Sequence, residues 1–241
     1  MTQQKPLIVI PARLAASRLP NKPLAMIGDA PMIVHVWKRA IEANIAPVIV
    51  ACDAQEIADA ITKVGGVAIL TDPDLPSGSD RVWEAVKVYD PDEQYNVIVN
   101  LQGDLPTFKP NLLPLLMQAL ARPNADIATL VAPIVRDEEH DNPSVVKAVI
   151  SSSGTALYFT RAAVPTGEGP RYHHIGVYAY MRSALKKFVS LAPSELEKRE
   201  KLEQLRALEN GLHIEVAVVD TVPLGVDTPA DLERAREELC Q

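Results

Sequence analysis

The sequence predicts an α/β fold: a mostly parallel central sheet with helices on both faces, and an inserted region with a smaller sheet. The main observation is the alternation of short apolar runs with amphipathic segments in the first hundred residues, which is typical of βαβ units and of a covered parallel sheet. The runs predict strands at 7–10, 48–51, 67–70 and 97–101, and the segments between them predict helices near 31–44, 54–64 and 79–89.

The second half of the chain departs from this rhythm. Strand-like runs cluster at 127–135, 145–150, 156–159 and 175–180, and helices are expected around 183–191 and 194–209. Such clustering predicts a partly antiparallel sheet, which commonly serves as a lid or a dimer surface. We therefore predict a single domain over residues 1–241 in which 125–210 is an inserted region, with the strand at 214–219 and the following helix returning to the core.

The composition restricts the class of protein. The chain has 241 residues, of which 47% are hydrophobic, and a net charge of −7, which argues against nucleic acid or an anionic membrane surface as a partner. Its apolar stretches are shorter than the roughly 20 residues of a membrane span, and the first run is too short for a signal peptide. Cys52 follows an apolar run and is expected to be a buried free thiol. A cytoplasmic protein fits these features.

A basic loop follows the first predicted strand. It carries Arg13, Arg18 and Lys22 among small residues and prolines, and the prolines prevent a helix or strand there. Three cations at the carboxyl end of a buried strand are typical of a polyphosphate site. A solvated basic surface loop has the same pattern. The acidic balance of the rest of the chain favours the phosphate interpretation.

Two aspartates follow predicted strands in distant parts of the chain. Asp104 comes directly after Gly103, and Asp227 precedes a helix for which Thr228 is the natural N-cap. Two carboxylates at strand ends are what a Mg²⁺–phosphate site usually supplies. The spacing alone does not separate this interpretation from a structural one.

The segment from Ser77 to Arg81 begins the third predicted helix. Its hydroxyl and backbone N–H groups serve either as a helix cap or as contacts for a nucleotide base or ribose. Arg81 lies in the first turn, where a cation opposes the helix dipole. This position favours a ligand contact for Arg81.

The inserted half contains a cationic and aromatic group that suits an acidic sugar, through arginine–carboxylate pairing and hydroxyl hydrogen bonds. Structural roles compete for several members. Tyr180 is expected in the core, and Glu203 is equally placed to pair with Lys201 or Arg206 on its helix. The members are Arg161, Arg171, His173, His174, Tyr178, Tyr180, Glu203 and Gln204. Because the sequence shows no pattern of a protein nucleophile, direct displacement on a phosphate is favoured.

Seven motifs carry a resemblance to a known family. In chain order they are PARLAASRLPNKPL, SGSDR, NLQGDLP, ALYFTRA, HHIGVYAY, KLEQLRALENG and GVDTPADLERAR. In these, over about residues 7–236, the chain resembles the 3-deoxy-manno-octulosonate (Kdo) cytidylyltransferases. The resemblance implies a nucleotide-diphospho-sugar transferase-like fold, a homodimer, and transfer of a cytidylyl group from CTP to the anomeric hydroxyl of Kdo. Pyrophosphate is released, and the product serves lipopolysaccharide biosynthesis.

The resemblance also implies roles for individual residues. The catalytic group would be Arg13, Arg18, Lys22, Asp104 and Asp227. The two aspartates would hold Mg²⁺. The nucleotide would contact Arg13, Ser17, Arg18, Lys22, Ser77, Gly78, Arg81 and Gln102. The sugar would contact Arg161, His174, Tyr178, Glu203 and Gln204.

The chain departs from the family pattern in three places. Leu105 stands where a glutamate is frequent, the first loop reads Ala15-Ala16-Ser17 where a serine often occupies the middle position, and the loop at 165–170 is shorter. These departures leave two alternatives open. One is cytidylyl transfer to a related acidic sugar, 8-amino-Kdo or a nonulosonate. The other is a non-catalytic nucleotide-binding regulator.

Overall fold

A computed structural model of the protein describes residues 3–15 and 18–240. In chain order its elements are β1 (Pro6–Ala12), a 3₁₀ turn (Lys22–Leu24), β2 (Met26–Ile27), β3 (Ala30–Pro31), α1 (Met32–Glu42), β4 (Val48–Cys52), α2 (Gln55–Lys63), β5 (Val67–Leu70), α3 (Gly78–Tyr89), β6 (Val97–Asn100), α4 (Leu112–Leu120), β7 (Ile127–Pro133), α5 (Asp137–Asp141), β8 (Lys147–Ile150), β9 (Ala156–Thr160), β10 (Tyr172–Met181), α6 (Arg182–Ser190), α7 (Glu195–Glu200), α8 (Leu205–Glu209), β11 (Ile214–Val218) and α9 (Pro229–Leu239). The elements predicted in the first hundred residues are present to within two residues at each end.

The chain divides into two compact units. The first contains the chain up to Leu113 and the segment from Pro223 onward, and the second spans Pro114–Val222. The predicted inserted region, 125–210, lies within the second unit. Among the described residues, no helix is both long and apolar enough to cross a membrane.

The first unit is built on a parallel sheet with the strand order β6-β1-β4-β5. The strands β1, β4 and β6 are apolar runs that are buried along almost their whole length, as expected for strands covered on both faces. Cys52 ends β4 as the buried free thiol that the sequence predicts. Burial raises the pKa of this thiol to about 11, so Cys52 is inert at neutral pH.

The order in which successive strands are added to this parallel sheet reverses after β5. The strands β1, β4 and β5 follow one another in one direction, whereas β6 lies on the other side of β1. Because parallel crossovers are right-handed, the helices α1 and α2 cover one face and α3 covers the opposite face. The carboxyl ends of β1 and β6 therefore meet at a topological switch point, which is where open α/β sheets bind ligands.

The second unit contains a mixed sheet. The strand β7 is parallel to β11 and antiparallel to β10, and β8 pairs antiparallel with both β10 and β9. The register of β10 against β7 shifts between Ile175 and Tyr178, which is the mark of a bulge. Tyr180 is 2% exposed, so its predicted place in the core is confirmed. The predicted α/β class, with a mostly parallel central sheet, helices and a smaller antiparallel sheet, is also confirmed.

One predicted helix is wrong. The segment 194–209 forms two helices, α7 and α8, because Lys201 adopts a left-handed backbone conformation with φ of 56°. Glu200, the last residue of α7, accepts hydrogen bonds from the Thr160 hydroxyl and the Arg161 backbone N–H. These tertiary contacts end the helix where the local sequence would have continued it.

A buried ion pair holds the two short helices together. Arg206 of α8 donates to both carboxylate oxygens of Glu197 in α7, at 2.8 and 2.6 Å, and its guanidinium lies 5.0 Å from the centre of the Phe188 ring. The two charged side chains are 8% and 13% exposed. Burial opposes the charge of Glu197, but Arg206 holds the pKa of this carboxyl below its ordinary value. Removing one partner would leave the other charge buried.

We expect Arg206→Leu to lower the free energy of unfolding by about 3 kcal/mol at pH 7. Because the folded pKa of Glu197 is depressed, the stabilisation is present above the unfolded pKa of about 4.3 and is lost as the pH falls through the folded value. The difference between the two proteins should therefore shrink in acid. Urea unfolding at pH 7 and at about pH 3, below the unfolded pKa, measures both effects.

The matched control is Lys198→Met, which removes an exposed ion pair with Glu195. It should change the free energy of unfolding by less than about 1 kcal/mol. Equal losses in the two variants would contradict the role given to the buried pair.

Candidate functional site

A cavity of about 350 Å³ lies in the first unit, beyond the carboxyl ends of β1 and β6. Its volume is within the range of small-molecule sites. Most of the predicted nucleotide and metal residues line it: Arg13, Arg18, Lys22, Ser77, Gly78, Arg81, Gln102, Asp104 and Asp227. Ser17, the remaining predicted nucleotide residue, lies outside the described residues. The cavity therefore occupies the switch point of the sheet and carries the cations and carboxylates that the sequence singled out.

The centre of the cavity is an ion-pair network. The Lys22 ammonium lies 2.8 Å from Oδ2 of Asp104 and 3.0 Å from Oδ1 of Asp227. Arg18 lies 3.1 Å from the other carboxylate oxygen of Asp227. Burial opposes the charge on Lys22, but the two carboxylates raise the pKa of its ammonium above the ordinary value. The Lys22 ammonium therefore stays protonated at neutral pH and lies between two carboxylates.

Backbone contacts bring Asp227 beside Asp104. The Val226 N–H donates to the Asp104 carbonyl at 2.9 Å, and the Leu224 N–H donates to the Thr107 hydroxyl at 2.8 Å. Val226 is fully buried in an apolar cluster that includes residues of α1 and α9. These contacts attach the segment before α9 to the loop after β6, so the two carboxylates share one side of the cavity.

The cap of α9 leaves Asp227 available to the cavity. Thr228 accepts from the Asp231 backbone N–H, and the Asp231 carboxylate accepts from the Thr228 backbone N–H. This reciprocal capping box is the arrangement that the sequence predicts for the start of this helix. The carboxylate of Asp227 is not part of it, and both of its oxygens instead face Arg18 and Lys22.

Gly103 lets the loop after β6 approach the end of β1. A Cβ atom at this position would lie 2.7 Å from the Pro11 carbonyl oxygen and 3.2 Å from Cδ1 of Ile33. Only glycine allows so close an approach of backbone to backbone. Gly103 thus sets the position of Asp104, the next residue, relative to the basic loop after β1.

Asp53 anchors the start of the basic loop and is absent from the sequence-based assignment. Its carboxylate accepts a hydrogen bond of 3.0 Å from the Leu14 backbone N–H. Asp53 directly follows the strand β4, which is the neighbour of β1 in the sheet. An acidic residue immediately after a buried strand was the only available signal, and it does not reveal a partner 39 positions away.

The N-terminus of α3 uses its polar groups largely within the protein. Ser77 is the N-cap, and its hydroxyl both accepts from the Asp80 N–H and donates to the Asp80 carboxylate. The Arg81 guanidinium is buried and donates to the Thr71 hydroxyl and to the Asp72 carbonyl. This contact with the loop before the helix accounts for a cation in the first turn. A nucleotide contact for Ser77 or Arg81 stays a prediction.

Gln102 is oriented by a buried neighbour. Its side-chain amide donates a 3.1 Å hydrogen bond to the side-chain oxygen Oδ1 of Asn100, and Asn100 is 1% exposed at the end of β6. This bond uses one of the two N–H groups of the Gln102 amide and orients its carbonyl oxygen, which is able to accept from a ligand. Asn100 is a second residue that the sequence-based assignment missed.

The predicted sugar residues all belong to the second unit. His174 is hydrogen-bonded to Thr129 at 3.0 Å, and its ring centre lies 5.6 Å from that of Tyr178. Burial, together with the charge of His173, lowers the pKa of His174 to about 3, so His174 is neutral at physiological pH. Burial, Tyr180 and the Glu203 carboxylate raise the pKa of the Tyr178 hydroxyl well above its ordinary value.

The other three sugar candidates have partners inside the protein. The Arg161 guanidinium donates to the Glu200 and Pro143 carbonyls, each at 3.0 Å. Glu203 lies 3.8 Å from Arg206, one of the two pairings left open for it. Gln204 is 6% exposed at the N-cap of α8. The structure thus brings His174, Tyr178 and Glu203 near one another, and Arg161 contacts Glu200, three residues before Glu203.

The carboxylates of the cavity suit a shared metal rather than one enclosed by protein. Within 3–15 and 18–240, no group of three or more histidine, cysteine, aspartate and glutamate side chains is arranged to hold a metal ion. Mg²⁺ commonly takes only one or two carboxylates and obtains its other ligands from water and substrate phosphates. Asp104 and Asp227, which converge on one ammonium group, fit that donor set.

Comparisons with known proteins agree with this geometry. Residues 7–214 match the family model described as cytidylyltransferase. The chain is 62% identical over 240 residues to a 3-deoxy-manno-octulosonate cytidylyltransferase of Parvibaculum lavamentivorans, covering 98% of this chain and 93% of the relative. It is 63% identical over 238 residues to the protein of that name from Rhodospirillum centenum, covering 97% and 93%.

Two solved structures are similar in fold. A CMP:2-keto-3-deoxy-manno-octonic acid synthetase complexed with CTP matches with a TM-score of 0.92 and 39% identity, and the match covers 99% of each chain. Rv0371c from Mycobacterium tuberculosis H37Rv matches with a TM-score of 0.64 and 17% identity over 98% of this chain and 100% of that one. The second match shows a shared fold alone.

The role of Gly103 is testable by thermal unfolding. Gly103→Ala places a Cβ against a backbone carbonyl that cannot rotate away, so we expect a loss of roughly 1–3 kcal/mol in the free energy of unfolding. Gly78→Ala is the matched control, because the nearest atom to its added Cβ is 3.8 Å away and alanine is the better helix former. A melting temperature for Gly103→Ala at or above that of the wild type would contradict the proposed close approach.

Proposed function

Because the chain belongs to the 3-deoxy-manno-octulosonate cytidylyltransferase family, we propose that it is the enzyme that activates Kdo with CTP to give CMP-Kdo and pyrophosphate. The observation that carries the proposal is the cavity at the switch point, where Lys22 lies between Asp104 and Asp227. The relatives are named for this reaction, and the similar solved structure contains CTP.

The basic loop would bind the triphosphate. Arg13, Arg18 and Lys22 line one cavity, and a nucleoside triphosphate carries the negative charge that three cations match. Their charge would also stabilise the pyrophosphate as the bond to the α-phosphorus breaks. Asp53 supports this role because its hydrogen bond to the Leu14 N–H holds the start of the loop in place.

The opposite wall of the cavity would receive the nucleoside. Gly78 begins α3 and lines the cavity without a side chain to cover its backbone. A ribose or base can therefore approach its backbone. The free carbonyl oxygen of Gln102 suits a donor such as the amino group of cytosine. Ser77 and Arg81 would contribute mainly by shaping this wall, since their side chains already have partners.

Asp104 and Asp227 would hold Mg²⁺. When bound, the metal would neutralise part of the negative charge of the phosphates. The two carboxylates would orient the triphosphate relative to Arg13, Arg18 and Lys22, so that the sugar hydroxyl attacks the α-phosphorus in line with the departing pyrophosphate. The proton of that hydroxyl would pass to solvent water as the new bond to the α-phosphorus forms.

The second unit would supply the sugar contacts. Arg161 is the cation of the proposed set and suits the carboxylate of Kdo. His174 is neutral because burial lowers its pKa to about 3, so it would act as a hydrogen-bonding group. Tyr178, Glu203 and Gln204 would bind sugar hydroxyls. We also propose a cytoplasmic homodimer that serves lipopolysaccharide biosynthesis, as the resemblance implies.

Pyrophosphate release tests the reaction. With CTP and Mg²⁺, we expect Kdo to give the highest kcat/KM in a panel that includes 8-amino-Kdo and a sialic-acid-like nonulosonate, because the chain matches relatives named for Kdo. A higher value for another acidic sugar would replace the acceptor but keep the reaction. CTP binding without pyrophosphate release in the presence of any of these sugars would overturn the enzyme proposal in favour of a nucleotide-binding regulator.

The proposed metal residues make a separate prediction. Asp104→Asn and Asp227→Asn should each lower kcat by about 100-fold or more, since each removes a charge that organises the transferring phosphate. Raising the Mg²⁺ concentration should restore only part of the rate. Asp59→Asn, which alters an exposed acid on α2, is the matched control and should keep the wild-type rate. Near-wild-type turnover in either cavity variant would remove that aspartate from the metal site.

A further inference from the structure

One cation already lies at the point where two carboxylates of the cavity converge. The Lys22 ammonium is within hydrogen-bond distance of an oxygen of Asp104 and an oxygen of Asp227. Its side chain is 17% exposed, whereas those of the two aspartates are 31% and 49% exposed. Lys22 therefore satisfies the carboxylates from within the protein, while their outer sides remain open to the cavity.

An ammonium group and a divalent metal ion compete for the same pair of carboxylates. Mg²⁺ requires carboxylate oxygens at about 2.0–2.1 Å, closer than the 2.8 and 3.0 Å of the Lys22 contacts. An ammonium left beside a metal on those oxygens would face a strong like-charge repulsion in a partly buried site. The second oxygen of Asp227 is also engaged, by Arg18.

We propose that Lys22 is an internal counter-ion which must leave the two carboxylates before a metal ion binds, and that its release couples metal binding to nucleotide binding. This inference rests on the proposed function, which assigns Asp104 and Asp227 to the metal. It adds that the same lysine keeps the metal site closed to a metal ion alone and becomes a phosphate ligand when it moves.

The chain allows this movement at small structural cost. Lys22 begins a short 3₁₀ turn whose next residue, Pro23, is buried, so the backbone is anchored while the four-carbon side chain is free to reorient. Its ammonium already lies in the cavity that Arg13 and Arg18 line. A triphosphate in that cavity offers Lys22 new anionic partners close to the old ones.

The coupling follows from this exchange of partners. Without nucleotide, a metal ion displaces Lys22 from two carboxylates and gives its ammonium no replacement. With nucleotide, the displaced ammonium pairs with phosphate. Metal and nucleotide therefore increase each other's affinity, and the increase is reciprocal. Removing the lysine charge should have opposite effects on the two ligands, which general damage to the site would not produce.

The experiment measures Mn²⁺ binding by electron paramagnetic resonance, with no sugar present. Wild-type protein should bind Mn²⁺ weakly alone and at least about tenfold more tightly with CTP. Lys22→Met, which keeps the apolar part of the side chain, should bind Mn²⁺ alone about tenfold more tightly than wild type and should bind CTP more weakly. The gain in Mn²⁺ affinity caused by CTP should be smaller in this variant than in the wild type, because the phosphates still supply metal ligands but no lysine has to be displaced.

Two further variants identify the cause. Arg18→Met removes a more exposed charge that pairs with Asp227, and it should change Mn²⁺ affinity by less than about threefold because solvent screens that pair. Adding Asp104→Asn to Lys22→Met should abolish the tightened Mn²⁺ binding. Tightening that survives this double change would show a different metal site and overturn the proposal.

The proposal also fails if wild-type protein binds Mn²⁺ equally well with and without CTP, a measurement that does not depend on any variant folding. It fails if Lys22→Met binds Mn²⁺ no more tightly than wild type. These failures differ from failure of the proposed function. Pyrophosphate release from CTP in the presence of Kdo, without the coupling, would contradict the counter-ion role alone. Coupling between Mn²⁺ and CTP binding without pyrophosphate release would contradict the proposed reaction alone.

Discussion

Two carboxylates from distant parts of the chain lie side by side only where something cancels their repulsion, and Lys22 does so in this protein. Asp104 and Asp227 share its ammonium, and the whole cavity is arranged around that shared charge. The backbone hydrogen bond from Val226 to Asp104 brings the acids together, and Gly103 lets their loop reach the end of β1. The fold supplies the proximity, and the lysine makes it electrostatically acceptable.

The sequence predicts the first unit well because its signals are local. An apolar run such as β4 is buried on both faces, and the helices between such runs are amphipathic. Each element can therefore be predicted from its own residues. The helix predicted at 194–209 fails for the opposite reason. The left-handed turn at Lys201 accompanies the hydrogen bond between Glu200, at the end of α7, and Thr160 of β9. No local sequence pattern predicts such a tertiary contact.

The candidate site divides in a similar way. Charge, glycine and strand-end position single out the basic loop and the two aspartates from the residues alone, and the family resemblance adds their roles. The pairing of Lys22 with the aspartates is not visible in the sequence, since each partner comes from a different loop. Asp53 and Asn100 are missed because their function is to hold other residues. The position of Arg81 in the first turn also has a structural explanation in its buried hydrogen bonds to the preceding loop, so its nucleotide contact stays a prediction.

The position of Asp227 has a consequence for the order in which the protein is made. The first unit is discontinuous: its sheet comes from the beginning of the chain, but Asp227 and α9 come from the end, after the whole second unit. A growing chain that folds from its N-terminus therefore forms the basic loop and Asp104 long before their second carboxylate exists. The complete charge arrangement arises only after the whole second unit has been synthesised, so until then the chain has the cations of the basic loop without the second acid that balances them.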